Sequence, residues 1–342
     1  MTASILNASE RIAQIKSCLY SDPASALQLS QVLFDDSAIA QDHYSFIHAC
    51  LYISITRNQL GERQDDCALL HTALSLCAAH QYTQLSVQVL ERLGRDRYTG
   101  GLYAESLAYW KQCIETCRVL RHCGHAHVQA LIGLGHICSA YNKHEQAVEF
   151  HRAALQLLKL NPDPLIEIRA KLSLGWDLYN AGHSPEAVHM LLETEALGRQ
   201  HDFGHYVSES LLHLGTIYLK QHDLLQAEEF FERCLESMQV TPSHWAECNL
   251  LGKLAEVHFL QGEAQRAREM IERGIRLAHQ DGMRHIEAKL SAQAAGYCAA
   301  LKDKDGIQYY GQQLDLLHEK NTDSWQIPPI DLSNIRQYLP NP

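Results

Sequence analysis

Apolar positions along the chain recur at intervals of three, four and seven. Residues 206–218 show the pattern, with Tyr206, Leu211, Leu212, Leu214 and Tyr218 as the apolar positions. A polar break at Gln221-His222-Asp223 follows, and then Leu224, Ala227, Phe230, Phe231, Cys234 and Leu235. That spacing predicts two amphipathic helices joined by a turn. No run of Val, Ile and Thr argues for a sheet. Helix starts are marked by a capping residue followed by proline at Asp22-Pro23, Asp163-Pro164, Ser184-Pro185 and Thr241-Pro242. Asn7 with Glu10 three residues on has the form of a capping box.

The helix pairs repeat. Small residues stand at Gly94, Gly135, Gly175, Gly215, Ala255 and Ala295, in steps of 41, 40, 40, 40 and 40. Seven residues after each comes a turn position: Gly101, Asn142, Gly182, His222, Gly262 and Lys302. Carried back through Ser54 and Gln14, the register gives eight units, near 8–40, 41–80, 81–121, 122–161, 162–201, 202–241, 242–281 and 282–320. The small residues predict close approach of paired helices, as between Gly215 and Ala227. Large residues such as Leu93, Trp110, Leu214 and Phe231 are expected to fill the core. Gly133 falls on a different face of its helix from Gly135, so Ala is expected to fit there.

These motifs resemble the tetratricopeptide family. Leu214-Gly215, Tyr218, Ala227, Phe231 and Cys234 carry the pattern in unit six, and Leu174-Gly175, Gly182, Ala187 and Leu191 carry it in unit five. Unit four adds Leu134-Gly135, Ala147 and Ala154-Leu155. The usual period of that family is about 34 residues, so a 40-residue period is similar to its long-helix versions in bacterial regulators and adaptor arrays. The resemblance implies an all-α, right-handed superhelical solenoid of about eight antiparallel hairpins over residues 1–320, whose first helices line a concave groove.

Composition narrows the function. A net charge of −11 opposes non-specific nucleic-acid binding. The stretches 67–90 and 122–142 lack Asp, Glu, Lys and Arg, but both are broken by His and Gln, so no membrane span is expected. Eleven scattered cysteines and no export signal predict reduced thiols and a cytoplasmic location. The 21 histidines are expected to be surface groups with ordinary titration. No phosphate-binding glycine loop or nucleophile elbow is present, so neither catalysis nor a cofactor is expected. Cys113, Cys117, His122, Cys123, His125 and His127 are the residue types zinc selects. Cys113, however, occupies a helix-packing position and the others border the expected loop, so a core thiol without metal is the better reading.

Two features remain. Residues 321–342 contain Trp325, Ile327, Pro328, Pro329, Ile330 and Leu332 before a short helical pattern, and this tail is expected to pack on the last unit. The second feature is the stripe that the resemblance places on the concave wall. It holds Arg92, Arg95, Arg169, Lys220, Lys253 and Lys289 against Glu91, Glu209 and Glu256, six cations to three carboxylates, or +3 in an acidic chain. Tyr52, Tyr98, Trp176, Tyr179 and Phe259 interleave with them, together with Gln129, His136 and His213. Asn180 and Asn249 stand where they can bond a peptide backbone. The expected function is a non-enzymatic adaptor or regulator that binds an acidic segment of a partner protein in the groove. A signalling sensor for a peptide or small ligand is the alternative.

Overall fold

A computed structural model of the chain describes residues 7–62, 66–120, 123–240, 244–319 and 328–340. Among them are sixteen α-helices and no strand. They come in consecutive pairs: α1 (Ala8–Cys18) with α2 (Pro23–Ala40), α3 (His43–Gln59) with α4 (Cys67–Ala79), α5 (Thr83–Thr99) with α6 (Tyr103–Val119), and α7 (Ala126–Ala140) with α8 (His144–Leu158). The second four pairs are α9 (Pro164–Asn180) with α10 (Ser184–Gln200), α11 (Gly204–Lys220) with α12 (Leu224–Val240), α13 (His244–Leu260) with α14 (Ala264–Gln280), and α15 (Arg284–Leu301) with α16 (Lys304–Glu319). Two compact units result, Met1–Asn161 with Ile327–Pro342, and Pro162–Gln326. Within each unit, first helices of successive pairs touch: α1, α3, α5 and α7 in one, and α9, α11, α13 and α15 in the other.

Four consecutive hairpins, from α5–α6 to α11–α12, are locked by one recurring contact. A Cβ added at Gly94 would overlap the Trp110 indole, at Gly135 the His151 ring, at Gly175 the Leu191 side chain, and at Gly215 the Phe231 ring. In every case the bulky partner lies sixteen residues further on, so the second helix puts a large side chain where the first has none. The small residue twelve after the glycine completes the approach, and Ser106 Oγ donates to the Gly94 carbonyl at 2.7 Å. Gly133 departs from expectation. A Cβ there would also overlap the Trp110 indole. Trp110 therefore wedges against α5 and α7 together, and Ala at Gly133 does not fit.

Turn chemistry follows the same period. Gly101, Asn142, Gly182, His222, Gly262 and Lys302 all take the left-handed conformation, with φ between 56° and 91°. That region costs a residue with a Cβ roughly 1–2 kcal/mol, which is why Gly and Asn are frequent there. Caps are formed as the sequence indicates at Asn7, whose Oδ1 accepts from Glu10 N at 2.9 Å while Glu10 Oε2 accepts from Asn7 N at 2.9 Å. Asp22 accepts from Ser25 N at 3.1 Å, and Asp163 from Leu165 and Ile166 N at 2.9 and 3.0 Å. Ser184 differs. It is already helical, His183 occupies the cap position without a side-chain capping bond, and Pro185 sits in the first turn. Thr241 and Pro242 lie outside the described residues.

The tail is a correction as well. It packs on the first unit, not on the last hairpin. Leu332, Ile335 and Tyr338 are buried around a 3₁₀ turn at Ile335–Tyr338, which rests on α6. Arg336 pairs with Glu149 of α8 through two bonds of 2.8 and 2.7 Å, and Tyr338 Oη donates to Glu115 of α6 at 3.0 Å. The tail's apolar residues are matched by complementary charges that its composition does not reveal. Trp325 and Ile327 lie outside the described residues.

The lock makes a stability prediction. Gly133→Ala should destabilise by about 1–3 kcal/mol through overpacking against Trp110. Gly296, on α15, has open space around its Cα. Gly296→Ala should therefore gain about 0.5–1 kcal/mol from helix propensity. Chemical denaturation of both variants checks this, and equal effects would remove the wedge from the account.

Candidate partner-binding site

The first unit gathers three of the anticipated residues around a hollow. Arg95 and Tyr98 of α5 and His136 of α7 line a cavity of about 160 Å³, together with Asn58 of α3 and the Trp110–Gly133 contact at its floor. Tyr98 stacks obliquely on His136, with ring centroids 5.7 Å apart, and lies 5.8 Å from Trp110. His136 in turn lies 5.5 Å from His151 of α8. Arg95 is held at the rim by Glu91, which accepts from its Nε and Nη2 at 3.1 and 2.7 Å. Asn58 had a signal in the sequence: it stands four residues after Ser54, the slot that Tyr98 occupies after Gly94.

Other residues of that stripe turn elsewhere. Arg92 is buried, and its guanidinium donates to Ser54 Oγ at 2.8 Å and to the Ser54 carbonyl at 2.9 Å. Burial, with Arg95 nearby, pushes its pKa down. It ties α5 to α3 and presents no charge to a ligand. Tyr52 is buried against His48, its hydroxyl 3.3 Å from Nδ1. Gln129 is half-buried on α7, away from the cavity lining.

The second unit presents a separate face along its first helices. Trp176 of α9 stacks on His213 of α11 with ring centroids 4.4 Å apart, and Tyr179 lies 5.6 Å from Trp176. Asn180 is exposed, its amide donating to the Trp176 carbonyl at 2.8 Å. Arg169 is half-exposed on α9 and Lys220 exposed at the end of α11. On α13, Lys253 pairs with Glu256 at 3.2 Å, and Asn249 accepts from Lys289 of α15 at 3.2 Å. Phe259 stacks on Tyr297 of α15 at 4.3 Å, a contact absent from the sequence reading. Arg95 and Lys253 are thus paired with two of the carboxylates that the +3 already counts, while Arg92 and Lys289 bond the uncharged Ser54 and Asn249, so four of the six cations are engaged by neighbours.

Cys113 Sγ donates to the Val87 carbonyl at 3.3 Å, and Cys234 repeats the arrangement with Ser208 at 3.1 Å, each 26 residues apart. The thiol is therefore a packing element of the repeat. Hydrogen bonding with Cys113, then burial, pushes the Cys117 thiol up, against metal-ligating thiolate. His122 lies outside the described residues, and among those described no group of His, Cys, Asp and Glu is placed to hold a metal. No helix described is long and apolar enough to cross a membrane. A larger hollow of about 870 Å³ beside α14 and α16 is lined by groups that already bond one another, Arg268 to Glu272 at 2.8 Å and His279 to Glu287 at 3.0 Å.

Three histidines do not titrate in the ordinary way, and for His127 burial, with Arg118 nearby, pushes the pKa down. Burial pushes the pKa of His213 from 6.5 to about 4, and burial, with Lys16 nearby, does the same for His48. Their unfolded forms take up protons first as pH falls. The stability each ring contributes is therefore complete above about pH 6.5 and lost as pH falls toward 4. At 1.36 kcal/mol per pH unit, the loss across that range is roughly 3 kcal/mol for each ring. We expect His213→Phe to flatten the fall in stability between pH 6.5 and 4, measured by denaturation across that range. Magnetic resonance should show the His213 ring still neutral at pH 5, and a ring titrating near 6.5 would refute this.

Comparison with known proteins agrees with this architecture. No curated protein matches the sequence. Among solved structures, a Rap protein complexed with competence and sporulation factor superposes with a TM-score of 0.63 at 11% identity, over 92% of this chain and 98% of that one. Aspartyl phosphate phosphatase F from Bacillus subtilis gives 0.62 at 12% identity, over 97% and 100% of the two chains. The apo quorum sensor NprR from B. thuringiensis gives 0.59 at 13%, over 91% and 98%. At such identities the likeness is one of fold. The family model of the MalT-like TPR region matches residues 126–339, well over half of the chain. With its helix pairs, left-handed turns and glycine locks in register, the chain belongs to the MalT-like TPR family.

Proposed function

We propose that this protein is a non-enzymatic regulator or adaptor that captures a peptide segment of a partner on its first helices, with the Arg95–Tyr98–His136 cavity as the anchor site. The carrying observation is the size and lining of that cavity. About 160 Å³ matches a space known to hold a benzene-sized group, and is below the 300–1,000 Å³ typical of drug-sized ligands. It therefore suits one aromatic or branched aliphatic side chain better than a whole metabolite. Tyr98 and Trp110 supply apolar walls, while Asn58 and Arg95 supply polar groups for the segment's backbone or a flanking carboxylate. Two of the similar folds, the Rap protein bound to competence and sporulation factor and the quorum sensor NprR, support a regulatory role by analogy.

The test is a panel of fluorescent peptides, each with one Leu or Phe in an acidic, neutral or basic frame. Acidic frames should bind best. Arg95→Glu should weaken them at least tenfold and reduce their salt dependence, while Tyr98→Ala should cost about 2 kcal/mol, as a buried anchor contact does. Trp176→Ala, in the other unit, reads whether that face contributes. Unchanged affinity in the Arg95 and Tyr98 variants would move the site away from the cavity. Equal binding of basic frames would remove the acidic preference.

A further inference from the structure

The tail and the cavity share their supporting helices. α6 turns Trp110 into the cavity floor and, one residue on, Lys111 toward the tail, its Nζ 5.3 Å from the centre of the Tyr338 ring. Further along the same helix, Glu115 accepts from Tyr338 Oη, and Arg118 donates to the carbonyls of Gln337 and Leu339. α8 behaves alike: Glu149 holds Arg336, and His151 supports His136 of the cavity wall. A third route runs through aromatic rings. Tyr141 Oη donates to the Pro328 carbonyl, its ring lies 6.1 Å from Tyr103, and Tyr103 lies 5.3 Å from Tyr98.

We propose that the α6–α8 face is a docking surface for a linear segment, filled here by the chain's own residues 328–340, and that its occupancy is coupled to the shape of the Arg95–Tyr98–His136 cavity. The docked segment has the anatomy of a ligand. Ile335 and Tyr338 are its buried anchors, Arg336 its specificity charge, and backbone carbonyls its remaining acceptors. The surface answers with two carboxylates and two cations. Coupling is reciprocal by linkage: whatever fills the cavity changes tail docking by the factor by which docking changes cavity affinity. The proposal concerns the cavity of the preceding section. Its test reads the protein without peptide, so its failure is separable from failure of peptide binding.

Amide hydrogen exchange is measured on the full chain and on Arg336→Glu, Glu149→Arg, the double charge swap, and Tyr338→Ala. We expect Arg336→Glu and Tyr338→Ala to speed exchange of residues 332–340 at least tenfold and that of residues 95–102, at the cavity wall, at least threefold. The charge swap should restore both, and α11–α14 should not change. A labelled synthetic peptide of residues 328–340 should bind full-length Tyr338→Ala at least tenfold more tightly than the wild-type chain, whose site is filled. Tail release without change at 95–102 would overturn the coupling. Faster exchange spread evenly through α1–α8 would do the same by showing general destabilisation. A tail that stays protected in both variants, or a peptide that binds neither chain, would overturn the docking surface.

Discussion

The structure depends on how closely two helices of a pair can approach. Where a first helix lacks a Cβ, the second inserts a large side chain, and spacing, turn and next interface follow from that contact. Trp110 shows how far the constraint reaches. Its indole serves the pair that contains it through Gly94 and the neighbouring α7 through Gly133. The same indole floors the cavity, so packing and candidate recognition share one residue. At α15 and α16 the device lapses. The slot that holds Leu191 or Phe231 earlier in the chain holds Gly311, and neither it nor Gly296 has a close neighbour for a Cβ.

Much of this was legible in the sequence because it is local and periodic. Glycine positions, turn residues and caps involve contacts within a few residues or within one repeat, so spacing alone reveals them. Ser184 shows the limit, since a cap-plus-proline pair does not say which residue is the cap. Gly133 escaped for another reason: its neighbour Trp110 comes from the preceding pair, and a reading that assigns one lock per pair has no place for a side chain serving two.

The candidate site was legible as a stripe but not as a set of orientations. Register places Arg92 beside Arg95, yet four rotatable bonds let one guanidinium reach inward to Ser54 while the other stays at the rim with Glu91. Summed charge along the stripe does not show which ions meet: Arg95 and Lys253 pair with Glu91 and Glu256, while Arg92 and Lys289 bond the neutral groups of Ser54 and Asn249. Histidine shows the converse. Composition suggests 21 similar groups, and burial separates His48 and His213 from ordinary titration.

The return of residues 328–340 to the first unit makes that unit discontinuous in sequence, with the whole of α9–α16 between its two parts. During synthesis, α1–α8 emerge early, but the segment that covers α6 and α8 follows only after a further 167 residues, counted from Asn161 to Pro328. At 5–20 residues per second the α6–α8 surface stands bare for roughly 10–30 s on the ribosome. Through that interval Lys111, Glu115, Arg118 and Glu149 lack the tail residues that meet them in the finished fold. A nascent chain with this topology therefore passes through a stage at which a foreign segment can arrive before its own does.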